Sequence, residues 1–319
     1  MKKKILLISL GLVAVGVVVF MVALIASGFN ISGMFSSKRE TNTYVVEEAF
    51  DTIQIDTKEA DIIFKQSNDE KCSVVCVERE KEKHNVKVEN GVLLINSDDT
   101  RSWYDYFSLF SGSLSVTVYL PSNAYSNLKI DGSTGDIEIP KEFSFNSVYI
   151  TASTGDVKLF SSVNGGLVVE TSTGNISLDK ISAKNILLTV STGKIGLNSV
   201  SCEDSITLKV STGDITMNDV TCNNLFSMGS TGEIEMKNVV VSDTINFNRS
   251  TGDIYFDGCD AGTIYIKTST GDVEGTLLSE KVFIVDTSTG NKDVPKTITG
   301  GRCEITTSTG DIKIGIKNN

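Results

Sequence analysis

The chain has 319 residues, 40% hydrophobic and 22% charged, and its 40 Asp and Glu outweigh 29 Lys and Arg to give a net charge of −11. Setting aside Lys2, Lys3 and Lys4 leaves −14 on the remainder (−11 − 3), which excludes nucleic acid as a partner, because phosphate binding needs clustered basic side chains. One histidine, His84, and six cysteines without a Cys-x-x-Cys exclude the usual zinc motifs.

Residues 1–4 form a basic cytoplasmic stub. The uncharged run from Ile5 to Ala26 is 22 residues long, enough to cross a hydrocarbon core of about 30 Å, so a transmembrane anchor is expected over 5–26. The next basic residues are Lys38 and Arg39. The positive-inside rule therefore puts Met1 in the cytoplasm and predicts a single-pass cell-membrane protein with its C-terminal domain extracytoplasmic. A cleaved signal peptide fits less well, since the apolar run exceeds a usual h-region and Leu24 and Ala26 make a poor Ala-x-Ala site.

Residues 27–44 read as a polar linker. From Phe50, Ile53, Ile55, Thr57, Asp61, Ile62 and Phe64 fall at a spacing that recurs later, and strand-like runs follow at 86–88, 92–95 and 116–120. Residues 45–130 are expected to form degenerate first coils and a cap. Cys72 and Cys76 share one face of a strand about 13 Å apart, beyond disulfide reach. Trp103, Tyr104, Tyr106, Phe107 and Phe110 gather the only tryptophan with other aromatics. They are expected to plug the end or flank of the core, as terminal repeats must. The competing role is an exposed loop that binds glycan or dips into a membrane interface.

From 131 to 319 the tetrad Ser-Thr-Gly-(Asp/Asn/Glu/Lys) occurs ten times between Ser133 and Ser308, every 19 or 20 residues. A fixed period means that one unit stacks on copies of itself. Five and three residues before the serine stand apolar side chains such as Ile206 and Leu208; four and six after it stand others such as Ile215 and Met217. A third stretch carries Val200 and Val220, then Cys202 and Cys222, which share a column with Ala183 and Ala261 and read as small buried hydrophobes. The variation in period falls after this stretch. Alternation held in register predicts strands with one buried face, and such strands coil into a parallel β-solenoid rising about 4.8 Å per coil. The expected fold class is all-β, a solenoid (β-helix) of 19–20-residue coils preceded by one N-terminal transmembrane α-helix.

The tetrad is a turn signal. Its glycines, Gly135, Gly155, Gly174, Gly193, Gly213, Gly232, Gly252, Gly271, Gly290 and Gly310, suit positive φ. The residues beside them, Asp136, Asp156, Asn175, Asp214, Asp253, Asp272 and Asp311, are expected to bond the local backbone as Asx turns, and the threonine to point inward. The competing role is a cation-binding ladder. Asn175, Lys194 and Asn291 interrupt it and the calcium β-roll nonapeptide is absent, so neither metal nor cofactor is assigned. Thr171, Thr268, Thr287 and Thr307 fall on the buried face by period, which argues against an ice-binding array. The last strand, from Asp311 to Lys317, reads as an uncapped edge guarded by Lys313 and Lys317.

Three segments carry a resemblance: Phe-Asp-Thr-Ile-Gln-Ile-Asp-Thr-Lys-Glu-Ala-Asp-Ile from Phe50, Val-Thr-Val-Tyr-Leu-Pro at 116–121, and the repeated Ser-Thr-Gly-Asp-Ile. They resemble the DUF4097 family of bacterial β-strand-repeat proteins, which are labelled putative adhesins, include LiaG-like proteins and are in some cases encoded beside cell-envelope-stress regulators. The resemblance spans 45–319. It implies an extracytoplasmic β-solenoid and supplies no catalytic residues. With five arginines and no convergent acid, base and arginine cluster, the expected function is non-catalytic: a membrane-anchored envelope protein, adhesin-like or envelope-stress-associated, whose partner is an envelope protein or glycan. The alternative is a polysaccharide-acting enzyme on a β-helix.

Overall fold

The computed structural model describes residues 2–26, 28–29, 39–102 and 113–317. Trp103, Tyr104, Tyr106, Phe107 and Phe110 lie outside the described residues. Helix α1 (Lys2–Ala26) comes first. Among the described residues no helix is long and apolar enough to cross a membrane.

Seven strands precede the repeats: β1 (Arg39–Val46), β2 (Thr52–Glu59), β3 (Asp61–Gln66), β4 (Cys72–Arg79), β5 (Glu82–Glu89), β6 (Val92–Asp99) and β7 (Ser115–Leu120). The repeats supply β8 (Ala124–Thr134), β9 (Ile137–Ile139), β10 (Ser144–Thr154), β11 (Val157–Leu159), β12 (Ser162–Thr173), β13 (Ile176–Asp179), β14 (Ser182–Thr192), β15 (Ile195–Cys202), β16 (Ser205–Thr212) and β17 (Ile215–Thr231). They continue as β18 (Ile234–Lys237), β19 (Val240–Thr251), β20 (Ile254–Lys267), β21 (Val273–Leu277), β22 (Lys281–Thr289), β23 (Lys292–Asp293), β24 (Gly301–Thr309) and β25 (Ile312–Ile316).

The strands stack as a parallel β-solenoid of about ten turns. One face runs β5, β6, β2, β8, β10, β12, β14, β16, then through β17, β19 and β20 to β24 and β22. A second runs β1, β4, β7, β3, β9, β11, β13, β15, β17, β18, β20, β21, β25, β23. The repeat columns dictate the register. Ile186 pairs with Ile206, Leu188 with Leu208 and Ile195 with Ile215, so each buried side chain stands on its equivalent one coil away. Cys202 and Cys222 are buried in their column, and all six cysteines are free.

Each regular coil has two sharp backbone corners. The ten tetrad glycines have φ between +135° and +150°. Six residues later Lys180, Ser199, Asp219 and Asn238 have φ of +52° to +54°, with Gly258 at +63°. These left-handed corners divide the coil into three sides. The one-residue difference in period is absorbed past the third side, where the β17–β19 pairing shifts register between Cys222 and Asn224.

Steric contact makes the glycine column obligatory. A Cβ on Gly213 would stand 1.8 Å from the carbonyl oxygen of Gly193, and one on Gly193 would stand 2.0 Å from that of Gly174. Ala60 holds this position in the first coil, β2–β3, directly beneath Gly135.

Two expectations are corrected. The tetrad threonine does not point inward: Thr134, Thr154, Thr173, Thr192, Thr212 and Thr231 are exposed, like the serines before them. The chain already bends at the serine, so alternation breaks and two consecutive side chains face water. The inward position is the residue before the serine, two before the tetrad threonine, where Val190, Val210, Thr171, Thr268, Thr287 and Thr307 are buried. The last segment is also not an edge. β24 and β25 are inserted between β20–β21 on one side and β22–β23 on the other. Lys313 lies between Glu274 and Asp293 in register, and the Lys317 ammonium is 3.4 Å from the Asp257 carboxylate. These lysines therefore balance neighbouring acids instead of guarding an open edge.

Gly213→Ala is expected to cost at least about 3 kcal/mol, combining strain at positive φ with a backbone clash that must separate two coils. Equilibrium denaturation checks this; a loss below about 1 kcal/mol would remove the steric argument.

Candidate functional site

The tetrad acids do not close Asx turns on their own backbone. Asp136 Oδ1 accepts a hydrogen bond from the Asp156 N–H at 2.8 Å, Asp156 from Asn175 at 2.8 Å and Asn175 from Lys194 at 2.9 Å. Further along, Asp253 accepts from Asp272 at 2.8 Å, Asp272 from Asp311 at 2.7 Å and Asp311 from Asn291 at 2.7 Å. The glycine corners hold neighbouring coils so close that the next coil's N–H comes within reach. Sequence spacing could not show this, because it does not say which backbone a short side chain meets. Lys194 cannot accept such a bond; its ammonium instead pairs with Asp214 at 3.0 Å.

One carboxylate oxygen per rung is thus committed to the fold, and the rest of the acid faces water. Past the Lys194 break the acids gather. Glu233, Glu235, Asp253, Asp272 and Glu274 line a shallow depression of about 220 Å³ with Tyr255, and no basic side chain is in its lining. Beside the ladder runs the outward band of paired Ser and Thr hydroxyls, continuous in register from Thr134 through Thr231 to Thr251. Hydroxyls and carboxylates at this repeat suit a polyhydroxylated or cationic polymer.

The densest chemistry lies in the cap and was not legible in the sequence. Cys76 and Glu78 on β4 and His84 on β5 bring a thiol, a carboxylate and an imidazole within 4.8 Å of one another, all buried. An N, O and S donor set of this kind suits a borderline divalent ion such as zinc. The protein already satisfies the polar groups itself. Glu78 accepts from Asn42 Nδ2 at 2.6 Å and from the His84 backbone N–H at 2.6 Å, with the His84 Nδ1 at 2.8 Å. His84 Nε2 lies 3.1 Å from Thr57 Oγ1, and Tyr44 donates to the His84 carbonyl at 2.8 Å. Burial pushes the Cys76 thiol up to about 12, so without a bound cation it stays protonated at neutral pH and is no nucleophile. The geometry fits a polar clasp that fastens β1, β4 and β5 to β2. A second cluster supports it: Arg79 pairs with Glu82 and Glu59 at 2.7 Å each, and Arg101 with Asp99 at 2.8 Å.

A lone cation is buried in the regular core. Arg249 is 2% exposed, and its Nη1 is 3.5 Å from the Val210 carbonyl. Its Nε and Nη2 have no partner among the described residues, and burial holds its guanidinium below the usual range. Gly229 makes room for it: a Cβ there would stand 2.5 Å from Nη1.

The sequence matches the Toastrack DUF4097 family over residues 50–205 and again over 202–319. No curated protein matches it. A crystal structure of a putative adhesin from Parabacteroides merdae ATCC 43184 superimposes with a TM-score of 0.51 at 16% identity, over 75% of this chain and 96% of that one. One from Parabacteroides distasonis ATCC 8503 gives 0.49 at 16% identity, over 86% and 98%. At these identities the likeness is one of fold.

Two measurements test the site. Glu78→Ala leaves Asn42, the buried His84 N–H and its ring without their acceptor, so a loss of about 3 kcal/mol or more is expected by denaturant titration. Unchanged stability would rule out the clasp. The second is acid sensitivity. The Lys194 ammonium holds the Asp214 carboxyl below its ordinary range, and the Asn291 backbone N–H does the same for Asp311. A folded value below the unfolded one, about 3.9, gives stability that is present above that value and lost as pH falls through the folded value. The melting temperature is expected to hold down to about pH 5 and drop below about pH 4. Asp214→Asn with Asp311→Asn should shrink that drop, and an equal drop in the double variant would refute the assignment.

Proposed function

The chain belongs to the Toastrack DUF4097 family, and we propose that it is a membrane-anchored, extracytoplasmic binding or structural module of the cell envelope, adhesin-like and non-catalytic. The observation that carries the reading is the outward Ser-Thr band flanked by the acid ladder. It repeats one pair of hydroxyls at each regular coil, with a carboxylate or amide beside them at every one but that of Lys194, a spacing of about 4.8 Å. Such a surface matches a ligand that is itself repetitive, such as an envelope glycan, and gains affinity from many weak contacts in register. Anchoring is supported by Lys2 to Lys4, by the uncharged run from Ile5 to Ala26 and by the helical conformation of α1.

A polysaccharide-cleaving enzyme would need two carboxylates flanking a bound sugar bond. The depression at Glu233, Glu235, Asp253, Asp272 and Glu274 is the place where such a pair would sit.

The full chain reconstituted in vesicles, domain outward, should pull down with purified envelope polysaccharide and release no soluble fragments from it. Thr192→Glu, Thr212→Glu and Thr231→Glu together should reduce binding at least tenfold without altering the fold. Undiminished binding would move the contact surface elsewhere, and released oligosaccharide would favour the enzyme. Protease added to cells stripped of their wall should remove a C-terminal tag; a protected tag would reverse the topology.

A further inference from the structure

The inserted last segment leaves an unexpected strand at the end of the solenoid. Among the described residues β22 pairs only with β24, and β23 only with β25, so the outer edge of this coil is open. It is also apolar. Val282 is 37% and Ile284 47% exposed, and Ile298 in the neighbouring loop is 91% exposed. Phe283 and Val285 face the core but stay half-buried, whereas Cys303 and Ile305, one coil inward, are 1% and 0% exposed. Among the described residues this end of the hydrophobic core is therefore only half-covered. Natural solenoids and sheets shield such an edge with charge, proline or another chain.

We propose that this edge is the docking surface for a second copy of the same chain, with β22 pairing antiparallel to β22 across a two-fold axis at Ile284. Three features select that occupant. The first is charge. The chain carries −11, but residues 280–300 hold Glu280, Asp286 and Asp293 against Lys281, Lys292 and Lys296, a local sum of zero (3 − 3), so two acidic molecules meet here without repulsion. The second is register. Opposed residues in an antiparallel pair share a face. With Ile284 opposite itself, Phe283 meets Val285 of the second copy twice on the inner face and continues the core. A shift of one residue sets inward side chains against outward ones. A shift of two sets Glu280 against Asp286 in one direction and Ile284 against Asp286 in the other. The third feature is the opposite end of the molecule. There the outermost strands are β1, with Arg39 and Glu40, and β5, with Lys83, Lys87 and Glu89 exposed, a charged rim that does not accept the apolar edge. Only like pairs with like, so the assembly closes at two copies instead of growing into a fibre.

The test uses the full chain in detergent, with single cysteines at 282 to 286 and mild oxidant. The native cysteines are all buried, so the background is low. Opposed residues lie about 4.5–5.5 Å apart, within disulfide range, and Ile284→Cys should give a covalent dimer at least tenfold faster than Val282→Cys or Asp286→Cys. Sedimentation should read two copies for the wild type and one for Ile284→Lys, with an unchanged melting temperature in dilute solution. A single copy for the wild type, or cross-linking that peaks away from 284 or is uniform along the strand, overturns the proposal.

Discussion

The contact between successive glycine corners sets everything else in this molecule. Hydrogen-bonded strands lie about 4.8 Å apart with their side chains above and below the sheet, but at this corner a Cβ would point at the neighbouring coil and force the two apart. Here Gly213 lies where even one added carbon would overlap the carbonyl of Gly193. That approach fixes the axial register to the residue, so apolar columns stack without slip and the core is one continuous rod. A single coil buries too few side chains to offset its ordering entropy. The corners therefore turn ten marginal units into one cooperative object.

The same approach explains the residue beside the glycine. A short acceptor at that point reaches the N–H of the adjacent coil, so Asp and Asn serve equally and each rung is tied to the next. Bending at the corner also rotates Ser and Thr outward together, which converts a structural repeat into a chemical one on the surface. Fold and candidate binding face are consequences of one backbone geometry. Interruptions in the ladder, such as Lys194 with its ion pair to Asp214, are tolerated because neighbouring rungs hold the register.

The ends obey other rules. At the N-terminal end the coils give way to antiparallel strands held by buried polar groups around Glu78 and by the ion pairs of Arg79 and Arg101. Hydrogen bonds with directional partners replace apolar stacking where no further coil exists to stack on. At the C-terminal end the buried Lys281 pairs with Asp260 at 2.6 Å at the start of β22, while Phe283 and Val285 further along the strand stay only half-buried.

How much of this was readable in the sequence depends on the range of the interaction. The period of the tetrad and its flanking apolar columns determined the solenoid, the strand faces and the glycine corners, because each depends on neighbours at a fixed offset along the chain. The resemblance of the first coil, with Asp61 and Ile62 in their columns, was legible for the same reason. The outward threonines were not, since alternation was extrapolated through a corner that breaks it. The polar clasp was invisible because Asn42 and Thr57 are far in sequence from Glu78 and His84, and the four share no spacing rule. Most of all, the order of the last two coils escaped the sequence. Their columns are interchangeable, so the pattern that specifies a coil says nothing about which coil it lies against; only the tertiary path of the chain placed β24 and β25 inside and left β22 at the open end.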